Sequence, residues 1–334
     1  MKEKMWSILV HLGPSMGVKG DSSLGSKKMN FDEDIWDMII ERSVEVGINT
    51  IVLDVGDGIQ YASHPEISAE GAWTRYRLNK EIERCEKVGI KLIPKLNFST
   101  MHDHWLGIYG RMVSTPQYYT VCADLIKEVY EAFQKPEYIH LGMDEESAEF
   151  AQAEFNCFRK GDLFWHDLRF LVDCVEAAGA KAWIWSSPLF DYPEEYKKHF
   201  EPGEVLISPY HYNALREDHY TPIETRSEYL VYYNEGKYAE MGIKYVEEDP
   251  FLVHFMEVAI PLMKEGYLYA PCASVFNRCK YNHDDLLEYF KENAPDEQIV
   301  GYMTAPWYIT TKEYESFFTE SFDDLKAAKE KFYK

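Results

Sequence analysis

Residues 138–146 read Tyr-Ile-His-Leu-Gly-Met-Asp-Glu-Glu, and they hold the strongest chemical signal in the chain. Three acids, Asp144, Glu145 and Glu146, directly follow a run too apolar for an open loop. A carboxylate forced to the lip of a packed sheet loses part of its hydration, which raises its pKa into the range of a general acid. The bland alternative is a polar strand-to-helix junction, because acids are favoured near a helix N-terminus. Glu146, the last of the three, is expected to be solvated or to cap the next helix. His140 reads equally well as a ligand contact or as a core histidine bonded to backbone.

Such acids need a scaffold that delivers partners to the same place. The chain has 334 residues, 46% of them hydrophobic, which is enough for a sizeable core. Short β-rich runs alternate with longer helical patterns and show no composition break. The runs fall near 6–12, 49–55, 91–97, 138–142, 181–187, 205–210, 268–276 and 299–305. Helical spacing follows at 31–46, 75–88, 116–133, 163–178, 194–200, 283–293 and 312–333. Two further helical pieces are expected at 225–242 and 250–265. Glycines at 47, 89 and 179 close three of the helices. Pro94 lies inside the third strand, where proline usually argues against a central position.

Eight strands alternating with helices imply parallel βαβ units, and in a chain of this length they predict a single-domain (β/α)8 TIM barrel spanning residues 1–334. An open doubly wound sheet is the runner-up, but no G-x-G-x-x-G or Walker-type loop follows any strand. In a barrel, chemistry collects at the C-terminal strand ends. Those ends offer His11, then Asp54 and Asp57, then Lys95 and Asn97 followed by His102, Asp103 and His104. They go on to offer His140, Asp144 and Glu145, then Trp185, then Tyr210, His211 and Tyr212, then Asn277 and Arg278, and last Trp307. Asp54 and Asp57 read better as turn residues beside Gly58 than as catalysts. Carboxylates, hydrogen-bonding groups and flat rings together suit a sugar, although each Trp and Tyr can equally be core.

At this point the motif resembles a known one. His140-Leu141-Gly142-Met143-Asp144-Glu145 is similar to the H-x-G-x-D-E signature at the end of the fourth strand in glycoside hydrolase family 20, the β-N-acetylhexosaminidases. The alternation of elements is similar over nearly the whole barrel, and the family also brings Trp residues to the mouth, as Trp185 and Trp307 would here. The resemblance implies hydrolysis of a terminal β-linked N-acetylhexosamine with retention, assisted by the substrate itself. Glu145 would protonate the leaving oxygen, and Asp144 would orient the 2-acetamido group whose carbonyl attacks. No cofactor or metal is implied. His11, Asn97, His102, His140, Trp185, Tyr210, His211, Asn277 and Trp307 are the candidate substrate contacts.

Several positions depart from the family pattern. His11 stands where an Arg usually grips the outer hydroxyls. Ile93-Pro94-Lys95-Leu96-Asn97 is similar to the family's I-P-E-x-D run, with Lys95 and Asn97 in place of both acids. Met143 replaces a small residue. The first strand starts near residue 6, so the family's additional N-terminal domain is not expected. Two other readings stand beside the hydrolase: a carbohydrate-binding barrel without turnover, and a metal-dependent sugar isomerase or epimerase. The latter would use His102, Asp103 and His104 with His140, Glu145 and His211.

The formal net charge of −22 would repel phosphate backbones, so nucleic acid is not an expected partner. No stretch is long and apolar enough to span a bilayer. The first residues lack the apolar core and small-residue cleavage site of a signal peptide, so a cytoplasmic location is expected unless a leader has been removed. The six cysteines form no C-x-x-C pair and read as small apolar residues of a reduced compartment. Neither sugar specificity nor oligomeric state is written in the sequence.

Overall fold

Every strand in the sheet runs parallel to its neighbours. The computed structural model describes residues 3–15, 27–144, 146, 159–212, 214–215, 258–259, 261–276 and 279–333. Its strands are β1 (Met5–His11), β2 (Thr50–Asp54), β3 (Lys91–Lys95), β4 (Tyr138–Gly142), β5 (Lys181–Trp185), β6 (Leu206–Ser208), β7 (Leu268–Tyr269), β8 (Cys272–Ala273) and β9 (Gly301–Thr304). Their order is β7-β6-β5-β4-β3-β2-β1-β9-β8.

The seventh strand expected from sequence is split into β7 and β8, with Ala270 and Pro271 between them. The first half pairs with β6 and the second with β9. Bridges Tyr210↔Cys272 and Tyr269↔Ile299 tie the two halves across, and this closes the (β/α)8 barrel. The break falls at a residue that has no N–H to give to a ladder. Pro94, by contrast, lies within β3 in the middle of the sheet. Leu96 N–H, two residues on, donates to His140 O, so position 94 faces β4 as well. Pairing between β3 and β4 is confined to Lys95↔His140, and the missing donor therefore breaks little.

Side chains alternate across the strands. Leu9, Val52, Ile93, Tyr138, Trp183, Leu206 and Met303 pack together inside the barrel. Ile8, Val10, Ile51, Leu53, Ile139 and Ile207 belong to the larger cluster with the helices. Burial on both faces explains why these strands read as continuous apolar runs. One interior polar chain is fully paired: Trp183 Nε1 donates to Ser208 Oγ at 2.8 Å, and that hydroxyl donates to Ala270 O at 2.7 Å.

Among the described residues the α-helices are α1 (Glu33–Val46), α2 (Arg75–Lys87), α3 (Pro116–Ala132), α4 (Asp162–Ala178), α5 (Ser187–Asp191), α6 (Pro193–His199), α7 (Asn282–Asn293) and α8 (Glu315–Phe332). Ile35, Trp36, Ile39, Ile40 and Ser43 form the buried stripe of α1, which ends at Gly47 with φ 73°. Thr115 opens α3 by accepting from Tyr118 N–H, with Pro116 at the first turn. The helical piece expected at 225–242 and most of that at 250–265 lie outside the described residues. No helix among the described residues is long and apolar enough to cross a membrane.

Candidate active site

Register sets the geometry of the barrel mouth. His11 lies opposite Asp54, Asp54 opposite Lys95, and Lys95 opposite His140. Four strands therefore lift four polar side chains to one height. Lys95 is 1% exposed, and its ammonium donates to Asp54 Oδ2, which also lies 3.3 Å from His11 Nδ1. The His140 ring sits 4.9 Å from that of Trp185, Trp185 is 5.3 Å from Trp307, and Trp307 is 6.0 Å from His11. Six side chains thus form a closed belt around the barrel axis, one half ionic and the other aromatic.

The belt controls charge. Burial alone would raise the Asp54 pKa, but Lys95 and His11 outweigh it and hold the carboxyl below its ordinary value. His140 is fully buried, and burial, followed by the Lys95 charge, pushes its pKa well below the usual imidazole value. Its Nδ1 accepts from Gly142 N–H at 3.0 Å, so the neutral ring carries its proton on Nε2. The core reading of His140 describes this environment, since the residue lies beneath the mouth. Asp54 is not a turn residue: the ladder with β3 draws it into the interior ion pair. Asp57 does lie in the turn after β2, accepting from Ser15 N–H at 3.3 Å, and burial pushes its carboxyl up to about 6.

Asp144 stands above the belt at the exit of β4. Gly142 and Met143 are both left-handed, with φ 74° and 68°. This pair, with a register shift between His140 and Gly142, turns the chain sharply and aims Asp144 at β3. Asn97 Nδ2 donates to Asp144 Oδ1 at 3.3 Å, His102 Nε2 lies 3.6 Å from Oδ2, and Ser99 Oγ donates to the Asp144 carbonyl. Met143 and Trp307, with φ 62°, are two non-glycine left-handed residues at one mouth, and strained backbone of this kind clusters at functional sites. A Cβ on Gly142 would fall 1.9 Å from Asn97 Oδ1. Gly142→Ala is therefore expected to lower stability by about 1–3 kcal/mol and to displace Asn97 from Asp144, which denaturant unfolding and a crystal structure of the variant would check.

The opposite wall is aromatic. Tyr210 packs 5.5 Å from Trp185, Tyr212 stacks 5.5 Å from Tyr210 and lies 6.0 Å from Trp307, and all but the fully buried Trp185 are partly buried. The Tyr210 hydroxyl is 3.0 Å from Ser187 Oγ. His211 turns its carbonyl to Asn282 Nδ2 at 2.6 Å. Asp144 thus meets Asn97 and His102, Tyr210 meets Trp185, and Trp185 and Trp307 share the belt with His11 and His140. Glu145 and Asn277 lie outside the described residues.

Glu146 departs from expectation. It is not solvated, because its side chain is buried against Arg159, which reaches it from thirteen residues further on, while the residues it was expected to cap, 147–158, lie outside the described residues. Ser99 carries no signal in the sequence, and the Asp54–Lys95 pairing carries only one, a lysine inside an apolar strand. Asp103 is buried beside the same arginine. Burial pushes its carboxyl up to about 7, with Arg159 opposing and Glu146 adding to the rise. The native state then holds a proton that the unfolded chain sheds near pH 4, so this contribution to stability is full below pH 4 and lost as pH rises through 7. Asp103→Asn is expected to raise the melting temperature relative to wild type at pH 8 but not at pH 4, read by thermal unfolding at both values. Among the described residues no three His, Cys, Asp or Glu side chains are placed to hold a metal ion.

No protein-family model matches the sequence, and no curated protein matches it. Solved structures do match. A β-N-acetylhexosaminidase from Bacteroides fragilis is similar at TM-score 0.60 and 12% identity over 97% of this chain and 65% of that one. Dispersin B is similar at TM-score 0.56 and 13% identity over 99% of both chains. A family 20 exo-β-N-acetylglucosaminidase from Vibrio harveyi, solved with N-acetylglucosamine, is similar at TM-score 0.60 and 12% identity over 98% of this chain and 54% of that one. The chain thus spans about two thirds of the first of these and about half of the third. It has the fold of the family 20 glycoside hydrolases, and at these identities the likeness speaks for the fold.

Proposed function

We propose that the protein is a glycoside hydrolase that works at this barrel mouth on a β-linked N-acetylhexosamine or a related glycan, by retaining, substrate-assisted hydrolysis. The carrying observation is the placement of Asp144. It rests on a left-handed turn, fixed by Asn97 and Ser99, across from a wall of Trp185, Trp307, Tyr210 and Tyr212. Indole and phenol faces suit the C–H faces of a sugar ring, and a fixed carboxylate suits an N–H donor.

In this reading Asp144 accepts the acetamido N–H and holds the amide oxygen against the anomeric carbon. That oxygen forms the new bond as the glycosidic C–O bond breaks, and Glu145 delivers its proton to the departing oxygen. Water then opens the cyclic intermediate, with Glu145 taking a proton from it. Glu145 takes its role from the sequence motif. A panel of aryl glycosides tests the reading: release of the aryl group from the β-N-acetylhexosaminide is the expected result, and no release from any glycoside would overturn it.

A second reading draws on the floor of the mouth. His11 stands where the family it resembles has an Arg that grips outer hydroxyls, and Lys95 and Asn97 stand in place of two of its acids, which fits a barrel that binds a carbohydrate without cleaving it. Calorimetric binding of a sugar without product would favour that reading over the first.

A further inference from the structure

Two segments carry the groups that fix Asp144. One is the exit of β3, residues 97–100, and the other is the exit of β4, residues 142–144 with Glu146. The same two segments are gripped from behind by one guanidinium. Arg159 Nε donates to Glu146 Oε2 at 3.0 Å, and its Nη2 donates to Glu146 Oε1 and to Phe98 O, the latter at 2.8 Å. Glu146 Oε1 also accepts from Thr100 N–H at 2.9 Å. Arg159 Nη1 lies 3.6 Å from Asp167 Oδ2 on α4, and Asp167 in turn accepts from Ser114 Oγ and Tyr119 OH, both at 2.5 Å. The Arg159 and Glu146 side chains are 1% and 3% exposed.

A buried ion pair is a poor way to gain stability, because desolvating two charges costs about what their attraction returns. What this pair adds is direction. A bidentate arginine fixes a carboxylate in plane and distance, and this one also holds the Phe98 carbonyl. It therefore sets the separation of the two strand exits. That separation is the distance over which Asn97 and Ser99 must reach Asp144. We infer that Arg159 and Glu146 are positioning residues: their buried clamp holds Asp144 in its left-handed turn and so sets the geometry of the step it assists. The inference rests on the glycosidase reading for its kinetic consequence and on geometry alone for its structural one.

The test uses the full chain with Glu146→Gln, which keeps shape and an acceptor but loses the charge, and Arg159→Lys, which keeps the charge but loses the fork. Three things are read: kcat and KM on the best aryl glycoside, the melting temperature, and hydrogen exchange at the Phe98, Thr100 and Gly142 amides. Expected is a fall in kcat on the order of 10²-fold with KM changed less than about threefold. Exchange at those three amides should rise at least about tenfold while amides of β1 and β2 stay as in wild type. Wild-type kcat in both variants, or exchange that rises evenly over the barrel, overturns the inference. If Arg159→Lys does not fold, Glu146→Gln decides alone. If wild type cleaves no glycoside, the glycosidase reading fails separately, and exchange decides the clamp: local opening at the three amides supports it, and unchanged exchange there overturns it.

Discussion

Glu145→Gln is expected to cut hydrolysis of a β-N-acetylhexosaminide by about 10²–10⁴-fold, the usual contribution of a general acid–base, and to leave the melting temperature within a few degrees. The loss should depend on the leaving group. A nitrophenolate departs well without a proton, so its cleavage should fall least. A sugar or alkyl alcohol needs the proton, so its cleavage should fall most. Asp144→Asn removes a different element. It weakens the grip on the acetamido N–H, and its loss should be alike for all leaving groups because bond formation, not protonation, is impaired. Equal losses across leaving groups for Glu145→Gln would sink its assignment as the acid. Kinetics on a graded series of aryl and alkyl glycosides make the distinction.

The barrel was legible in the sequence because its strands are buried on both faces and its helices carry a single apolar stripe. Strands such as Ile51-Val52-Leu53 have no polar position to obscure them. Reading failed where structure depends on a partner far along the chain. Glu146 follows two candidate catalytic acids and shares their type, and only Arg159, reached through the fold, makes it a buried clamp. Asp54 resembles a turn residue until the ladder with β3 sets it against Lys95. The split of the seventh strand at Pro271 and the tolerance of Pro94 both follow from which neighbour each missing N–H faces, and register is invisible before the strands are paired. The mouth itself was legible as a list of strand-end residues. Their division into a buried belt and a layer above it was not, because His140, Lys95 and Trp185 share their residue types with residues that touch ligands.

That division makes Lys95 the position of largest expected stability effect. Lys95→Met leaves Asp54 charged, fully buried and facing the buried His11 alone, and breaking a buried pair from one side costs about 3–5 kcal/mol. The loss has a pH signature. Asp54 has a folded pKa below its unfolded one, so its contribution is present above about pH 4 and fades as pH falls through the folded value. In Lys95→Met the largest opposing charge is gone and burial dominates, so the folded pKa rises and the variant should be relatively more stable in acid than at neutral pH. Removing both charges should undo most of the damage. In Lys95→Met with Asp54→Leu, methylenes fill the same interior space with no charge to desolvate, and stability is expected within about 2 kcal/mol of wild type. Urea unfolding of the four-member cycle at pH 5 and pH 8 measures both effects. A single variant as stable as wild type would mean that water reaches Asp54 and that the belt is not the sealed floor its burial describes. His140 should stay neutral throughout, since burial rather than Lys95 is the main cause of its lowered pKa.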